Sequence, residues 1–182
     1  ERCICDKLTN NKDKQWYHNA FKEVVLEHFE PSLFEEETGN VTDNYFVDFF
    51  REDKFDEDDN LIEAAPKVYE FGGTLQNIRS RAEMYMARYN KENPSTPLNL
   101  VLFDDALRHM MRITRIIQMD RGNALCVGVG GSGKQSLTKL AAYIARHRLF
   151  QIKLTKTYNV TNFGDDLKEC MVHAGTVGPV TF

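Results

Sequence analysis

The residues with the plainest chemical potential in this 182-residue chain are Gly128-Val129-Gly130-Gly131-Ser132-Gly133-Lys134, which satisfy the spacing G-x-x-x-x-G-K. Glycines at these positions let a loop enter left-handed conformations, so that successive backbone N–H groups converge on a phosphate at the positive end of the following helix. The closing lysine brings an ammonium to the outer phosphate oxygens. The flanks agree with this reading. Ala124-Leu125-Cys126-Val127 reads as a short strand buried on both faces of a parallel sheet, and Ser136 to Arg146 as a helix with Leu137, Leu140, Ala141 and Ile144 inward. The expectation is a P-loop that holds a nucleoside di- or triphosphate through Gly128 to Gln135.

The residue after the lysine of a P-loop is ordinarily Ser or Thr, whose hydroxyl ligates Mg²⁺; here it is Gln135. An amide oxygen reaches a metal less compactly than a hydroxyl. Ser136, about 100° further round the helix, is no simple substitute. Gln135 is therefore the candidate Mg²⁺ ligand, and binding is expected to survive the change better than catalysis. No acidic pair follows a completed third strand, so the sequence offers no second carboxylate to hold magnesium or polarise water, and no catalytic residue is assigned. None of His18, His28, His109, His147 and His173 has a partner at metal or triad spacing. His147, between Arg146 and Arg148, is expected to mark the end of the P-loop helix, where positive charge suits the dipole.

The elements that position the loop follow from periodicity. Apolar residues recur at helical spacing from Trp16 to Phe29, with Pro31 as the stop. Tyr45 to Phe50 reads as a helix or tight turn that docks against something, and the acidic residues Glu52, Asp53, Asp56, Glu57, Asp58 and Asp59 as a solvated loop. Thr74 is a candidate cap for a helix to Asn90 with Leu75, Ile78, Ala82, Tyr85 and Tyr89 on one face. Asn93-Pro94-Ser95-Thr96-Pro97 is the clearest boundary. Beyond it, Leu98 to Leu102 leads into a helix over Asp104 to Met119. After the P-loop helix, Phe150 to Leu154 reads as a strand, Asn162 to His173 as a helix and Val180 to Phe182 as the beginning of a third strand. Strand, helix, strand, helix, strand is half of a doubly wound nucleotide-binding fold, entered but not completed.

Bulk properties exclude several classes. A net charge of −4 and a pI near 5.8 give no electrostatic footprint for nucleic acid. No segment approaches the roughly 18 consecutive apolar residues of a membrane span, and the N-terminus lacks the layout of a signal peptide, so a soluble intracellular protein is expected. Cys3, Cys5, Cys126 and Cys170 form no metal or disulfide spacing and read as reduced small hydrophobes. The sequons at Asn40 and Asn159 read as chance.

The segments Leu100-Val101-Leu102-Phe103-Asp104-Asp105-Ala106, Arg112-Ile113-Thr114-Arg115-Ile116-Ile117, Arg121-Gly122-Asn123-Ala124-Leu125 and Gly128 through Gln135-Ser136-Leu137 resemble a dynein heavy chain at the start of the fourth AAA+ module of its motor ring. Gln135 is what the axonemal members of that family tend to carry where cytoplasmic dynein has Thr. Glu1-Arg2-Cys3 through Asp6-Lys7-Leu8 and Tyr45-Phe46-Val47-Asp48-Phe49 are similar to the helical lid of the third module. The resemblance implies an α/β fold: an incomplete AAA+ P-loop parallel-sheet core over residues 96–182, preceded by a mainly helical lid over residues 1–95. It implies ATP or ADP with Mg²⁺, phosphates at Gly130 to Ser136 and the base near Leu100, Val101 and Leu102. It further implies a regulatory site within a minus-end-directed microtubule motor of the ciliary or flagellar axoneme. Neighbouring modules, intermediate and light chains and microtubules would then be partners, with neither nucleic acid nor membrane, in the cytoplasm and cytoskeleton. Two other readings stand beside it. One is a free-standing P-loop kinase or GTPase, against which the missing carboxylate and base-specifying motifs count; the other is a structural fragment with an empty P-loop.

Overall fold

The computed structural model describes residues 5, 7–28, 45–56 and 61–182. The expectations on Cys3, Phe29, Pro31, the Asn40 sequon and acidic residues Glu57, Asp58 and Asp59 lie outside them. The chain forms two compact units, Glu1–Asp43 and Asn44–Phe182.

In the first unit, helix α1 (Asn11–His28) starts earlier than its apolar pattern, because Asn10 caps it. The Asn10 side-chain oxygen accepts from the Asp13 N–H at 2.7 Å, and its amide donates to the Asp13 carboxylate at 2.6 Å. Tyr17 and Phe21 stack along one face with ring centroids 6.0 Å apart, but no residue of the helix is buried.

The second unit begins with a correction. Tyr45–Val47 is strand β1, not a helix or turn, and it pairs antiparallel with β4 (Glu70–Gly73). Tyr45 and Val47 face inward while Phe46 faces out, the alternation of a half-buried strand. A second antiparallel pair joins β2 (Lys54–Phe55) to β3 (Leu61–Glu63). The described residues before Asn93 thus combine two 18-residue helices, Asn11–His28 and Leu75–Glu92, with these short strands.

Helix α2 (Leu75–Glu92) is capped by the Thr74 hydroxyl, as expected, and buries Ile78, Ala82 and Tyr85. Helix α3 (Asp104–Gln118) buries Leu107, Met110, Met111 and Ile113. Helix α4 (Lys134–Ile144), which follows the P-loop, buries Leu137, Leu140, Ala141 and Ile144. These faces, with Tyr45, Val47, Phe49, Leu98 and Leu102, form one core cluster that draws on both sides of the Asn93 to Pro97 segment.

Only part of the expected parallel sheet is present. Strand β5 (Arg148–Leu149) pairs parallel with β6 (Val180–Thr181), and helix α5 (Val160–Thr176) is the crossover between them. Phe150 and Phe182 continue the pairing as stacked rings 5.8 Å apart. Helix α5 starts at Val160 rather than Asn162, because the Asn159 side chain accepts from the Thr161 and Asn162 N–H groups in a reciprocal capping box. Residues 124–127 and 150–154 form no strand: Leu125 is 91% and Leu154 81% exposed, and only the Phe150 N–H, which donates to the Thr181 carbonyl at 2.8 Å, extends the β5–β6 pairing into them.

The acidic stretch is not uniformly solvated. The Asp53 side chain, 9% exposed, accepts from the Ala65 N–H at 2.8 Å and from the Arg146 guanidinium. Arg146 sits in the left-handed region (φ 60°) just past α4 and also donates to the Ala65 carbonyl at 2.9 Å. Lys67 donates to the Ile144 carbonyl at 2.7 Å, satisfying an orphan acceptor of the helix end. Burial pushes the Asp48 carboxyl up and the Lys67 ammonium down, each partly offset by the other's charge. Asp53→Ala leaves Arg146 without its buried partner and is expected to lower stability by about 2–3 kcal/mol. A shift of the urea midpoint to lower concentration at unchanged slope checks this, and an unmoved midpoint contradicts it.

Candidate functional site: a P-loop at the head of helix α4

Gly131 and Gly133 have φ of 75° and 78°, which an L side chain rarely adopts, and the left-handed Gly133 turns the chain directly into α4. The first helical bond runs from the Leu137 N–H to the Gly133 carbonyl at 2.8 Å. Lys134 folds across the loop. Its ammonium donates to the Gly128 carbonyl at 2.8 Å, the Val129 carbonyl at 2.6 Å and the Ser132 hydroxyl at 3.0 Å. The loop is thereby closed into a ring by its own lysine, with the N-terminus of an eleven-residue helix behind it.

Of the expected base-side residues, Leu100 is brought to the loop: a Cβ on Gly133 would lie 3.6 Å from its Cδ2. Leu102 is buried in the core, and Val101 points outward at 80% exposure. Two side chains on α2 hold this segment, neither signalled by local sequence. Asn90 donates to the Leu98 carbonyl at 2.9 Å and accepts from its N–H at 2.6 Å, much as a neighbouring strand would. Arg79 donates to the Leu102 carbonyl at 2.8 Å and pairs with Asp104 at 2.6 Å.

On the other side of the loop, Lys134, Gln135, Thr138, Cys126, Phe150 and Phe182 are among the residues lining a cavity of about 290 Å³. Gln135 is exposed there and could offer one neutral oxygen to a nucleotide-bound Mg²⁺. The Thr138 hydroxyl is engaged with the Lys134 carbonyl at 2.9 Å. The donor set thus suits phosphate, with Gln135 as a single ligand toward the metal. Among the described residues no group of three or more His, Cys, Asp or Glu side chains could hold a metal ion.

His147 lies just past the helix end, as expected, its backbone N–H donating to the Ala142 carbonyl at 2.9 Å. Its ring is within 3.1 Å of the Thr181 hydroxyl, and burial holds its imidazole below the ordinary range. Cys5 and Cys170 are half-buried free thiols, while Cys126 is exposed rather than buried in a strand. Among the described residues no helix is long and apolar enough to cross a membrane.

Comparison with known proteins assigns the class. Residues 98–182 match the family described as P-loop containing dynein motor region D4. The chain is 40% identical over 186 residues to Dynein axonemal heavy chain 8 of Mus musculus and 40% over 189 residues to Dynein axonemal heavy chain 5 of Rattus norvegicus. It is 38% identical over 184 residues to the Dynein gamma chain, flagellar outer arm, of Chlamydomonas reinhardtii. Each alignment covers 100% of this chain and 4–5% of the relative. The chain therefore belongs to the dynein heavy chains. More particularly, it is a segment of the motor region of the axonemal kind, and it spans a small fraction of the length of the relatives it matches.

Proposed function

We propose that this segment is an adenine-nucleotide-binding, regulatory AAA+ module of an axonemal dynein heavy chain. In this reading residues 96–182 are the start of the fourth module's core and residues 1–95 the lid of the third. ATP or ADP sits with its phosphates on Gly128 to Ser136 and its base against the Leu100 to Leu102 segment. The observation that carries the reading is the closed loop itself, with Lys134 held on the Gly128 and Val129 carbonyls at the head of α4. The names of the relatives support a place in the axoneme. The intact protein would be the minus-end-directed motor of ciliary or flagellar beating, working with neighbouring modules, intermediate and light chains and microtubules.

The chain's residues bind and orient rather than react. Lys134 places positive charge on the outer phosphates, Gly131 and Gly133 give the backbone its close approach, and Leu100 walls the loop. Magnesium, when bound with nucleotide, neutralises phosphate charge, and Gln135 would hold it with one amide oxygen. Hydrolysis by this chain is expected to be negligible, and phosphate release that disappears in Lys134→Ala would count against the proposal.

Gln135 sets the site to hold nucleotide rather than cycle it. In a heavy chain whose other P-loop lysines are replaced, Gln135→Thr supplies a compact metal ligand and is expected to speed single-turnover hydrolysis or exchange by roughly tenfold or more. Equal rates in the two proteins would remove Gln135 from the explanation.

A further inference from the structure

We propose that Ser132 is a positioning residue that competes with the nucleotide's phosphate for Lys134, a claim that rests on the P-loop reading above. An ammonium has three hydrogens. Here all three have acceptors within the loop, namely the Gly128 carbonyl at 2.8 Å, the Val129 carbonyl at 2.6 Å and the Ser132 hydroxyl at 3.0 Å. A phosphate oxygen that approaches the ammonium must take over at least one of them.

The three acceptors are not equally easy to displace. The two carbonyls belong to the backbone that forms the loop, and releasing either means opening it. The Ser132 oxygen makes the longest of the three contacts, hangs on one rotatable bond and belongs to an exposed residue, so its freed hydroxyl returns to water. It lies with the ammonium against Gly128: a Cβ there would be 3.4 Å from both the Lys134 ammonium and the Ser132 oxygen. The serine bond is therefore the one exchanged for phosphate. Each binding event breaks a charge-assisted bond that the loop already has, which weakens retention and shortens the time the nucleotide stays.

The test uses ADP carrying an N-methylanthraniloyl fluorophore and the 182-residue chain. Ser132→Ala is expected to tighten binding by roughly three- to tenfold, mainly through slower release, since one hydrogen bond to a charged group no longer has to be broken. Ser132→Thr keeps the hydroxyl and should stay within about twofold of the parent. In a Lys134→Met background, where residual binding is read at high protein concentration, Ser132→Ala should change nothing, because the interaction it removes is already gone. Parent binding accompanied by unchanged or weaker binding in Ser132→Ala overturns the inference and leaves the P-loop reading intact. Failure of the parent itself to bind overturns that reading and the inference with it.

Discussion

Lys134→Ala is expected to lower the affinity of the chain for ADP by about a hundredfold or more. Two losses add. The first is the charge-assisted bonding to the phosphates, each such bond contributing about 1.5–3 kcal/mol. The second is the closure of the loop, since the carbonyls of Gly128 and Val129 lose the donor that draws them together and the glycines regain freedom that binding must then remove. Together they exceed the roughly 3 kcal/mol that corresponds to a hundredfold change. A fluorescence titration reads the result directly. Micromolar affinity retained in the variant would show that the phosphates are held by other groups.

Leu140→Ala should produce the largest loss of stability. Leu140 is fully buried on α4, the helix that packs on both α2 and α3, so its truncation leaves a cavity where those three elements meet. A cost of about 3 kcal/mol is the scale for a buried leucine in a site that cannot collapse. For a chain of this size that corresponds to a fall in Tm of about 6–12 °C, measurable by circular dichroism at 222 nm. A fall of less than about 2 °C would mean that the site closes over the missing atoms or that α4 contributes little to the cooperative core.

The helices and the P-loop were legible because their signals are local. Ile78, Ala82 and Tyr85 recur at helical spacing, and Thr74 stands where a cap belongs; the structure uses each as read. The glycines and Lys134 carry their geometry in their own backbone and reach, so the closed loop follows from a short window of sequence. Strands are different because they need partners. Tyr45 to Val47 meets Glu70 to Gly73 more than twenty residues away, and nothing within Tyr45 to Phe50 announces that pairing, so its apolar density reads as a helix or turn. The opposite failure occurs at Leu125 and Leu154, where an apolar run has strand character but pairs with no described strand.

Long-range polar contacts were equally out of reach of the sequence. Asp53 lies in an acidic run that reads from sequence as a solvated loop, yet its side chain meets Arg146 and the Ala65 N–H. Asn90 and Arg79, which tie Leu98 and Leu102 to α2, read from sequence only as polar positions on a helix. The Ser132 hydroxyl on Lys134 is a near miss, because both residues were in view but a loop's spacing does not say where a lone rotamer points.

The central claim, that this segment binds adenine nucleotide on Gly128 to Ser136, is tested most directly by calorimetric titration of the chain with ADP in the presence and absence of Mg²⁺. The account predicts saturable binding at one site per chain, strengthened by the metal and weakened by about a hundredfold or more in Lys134→Ala. A folded chain that takes up no ADP or ATP at millimolar concentration, or that binds equally well without Lys134, would contradict it.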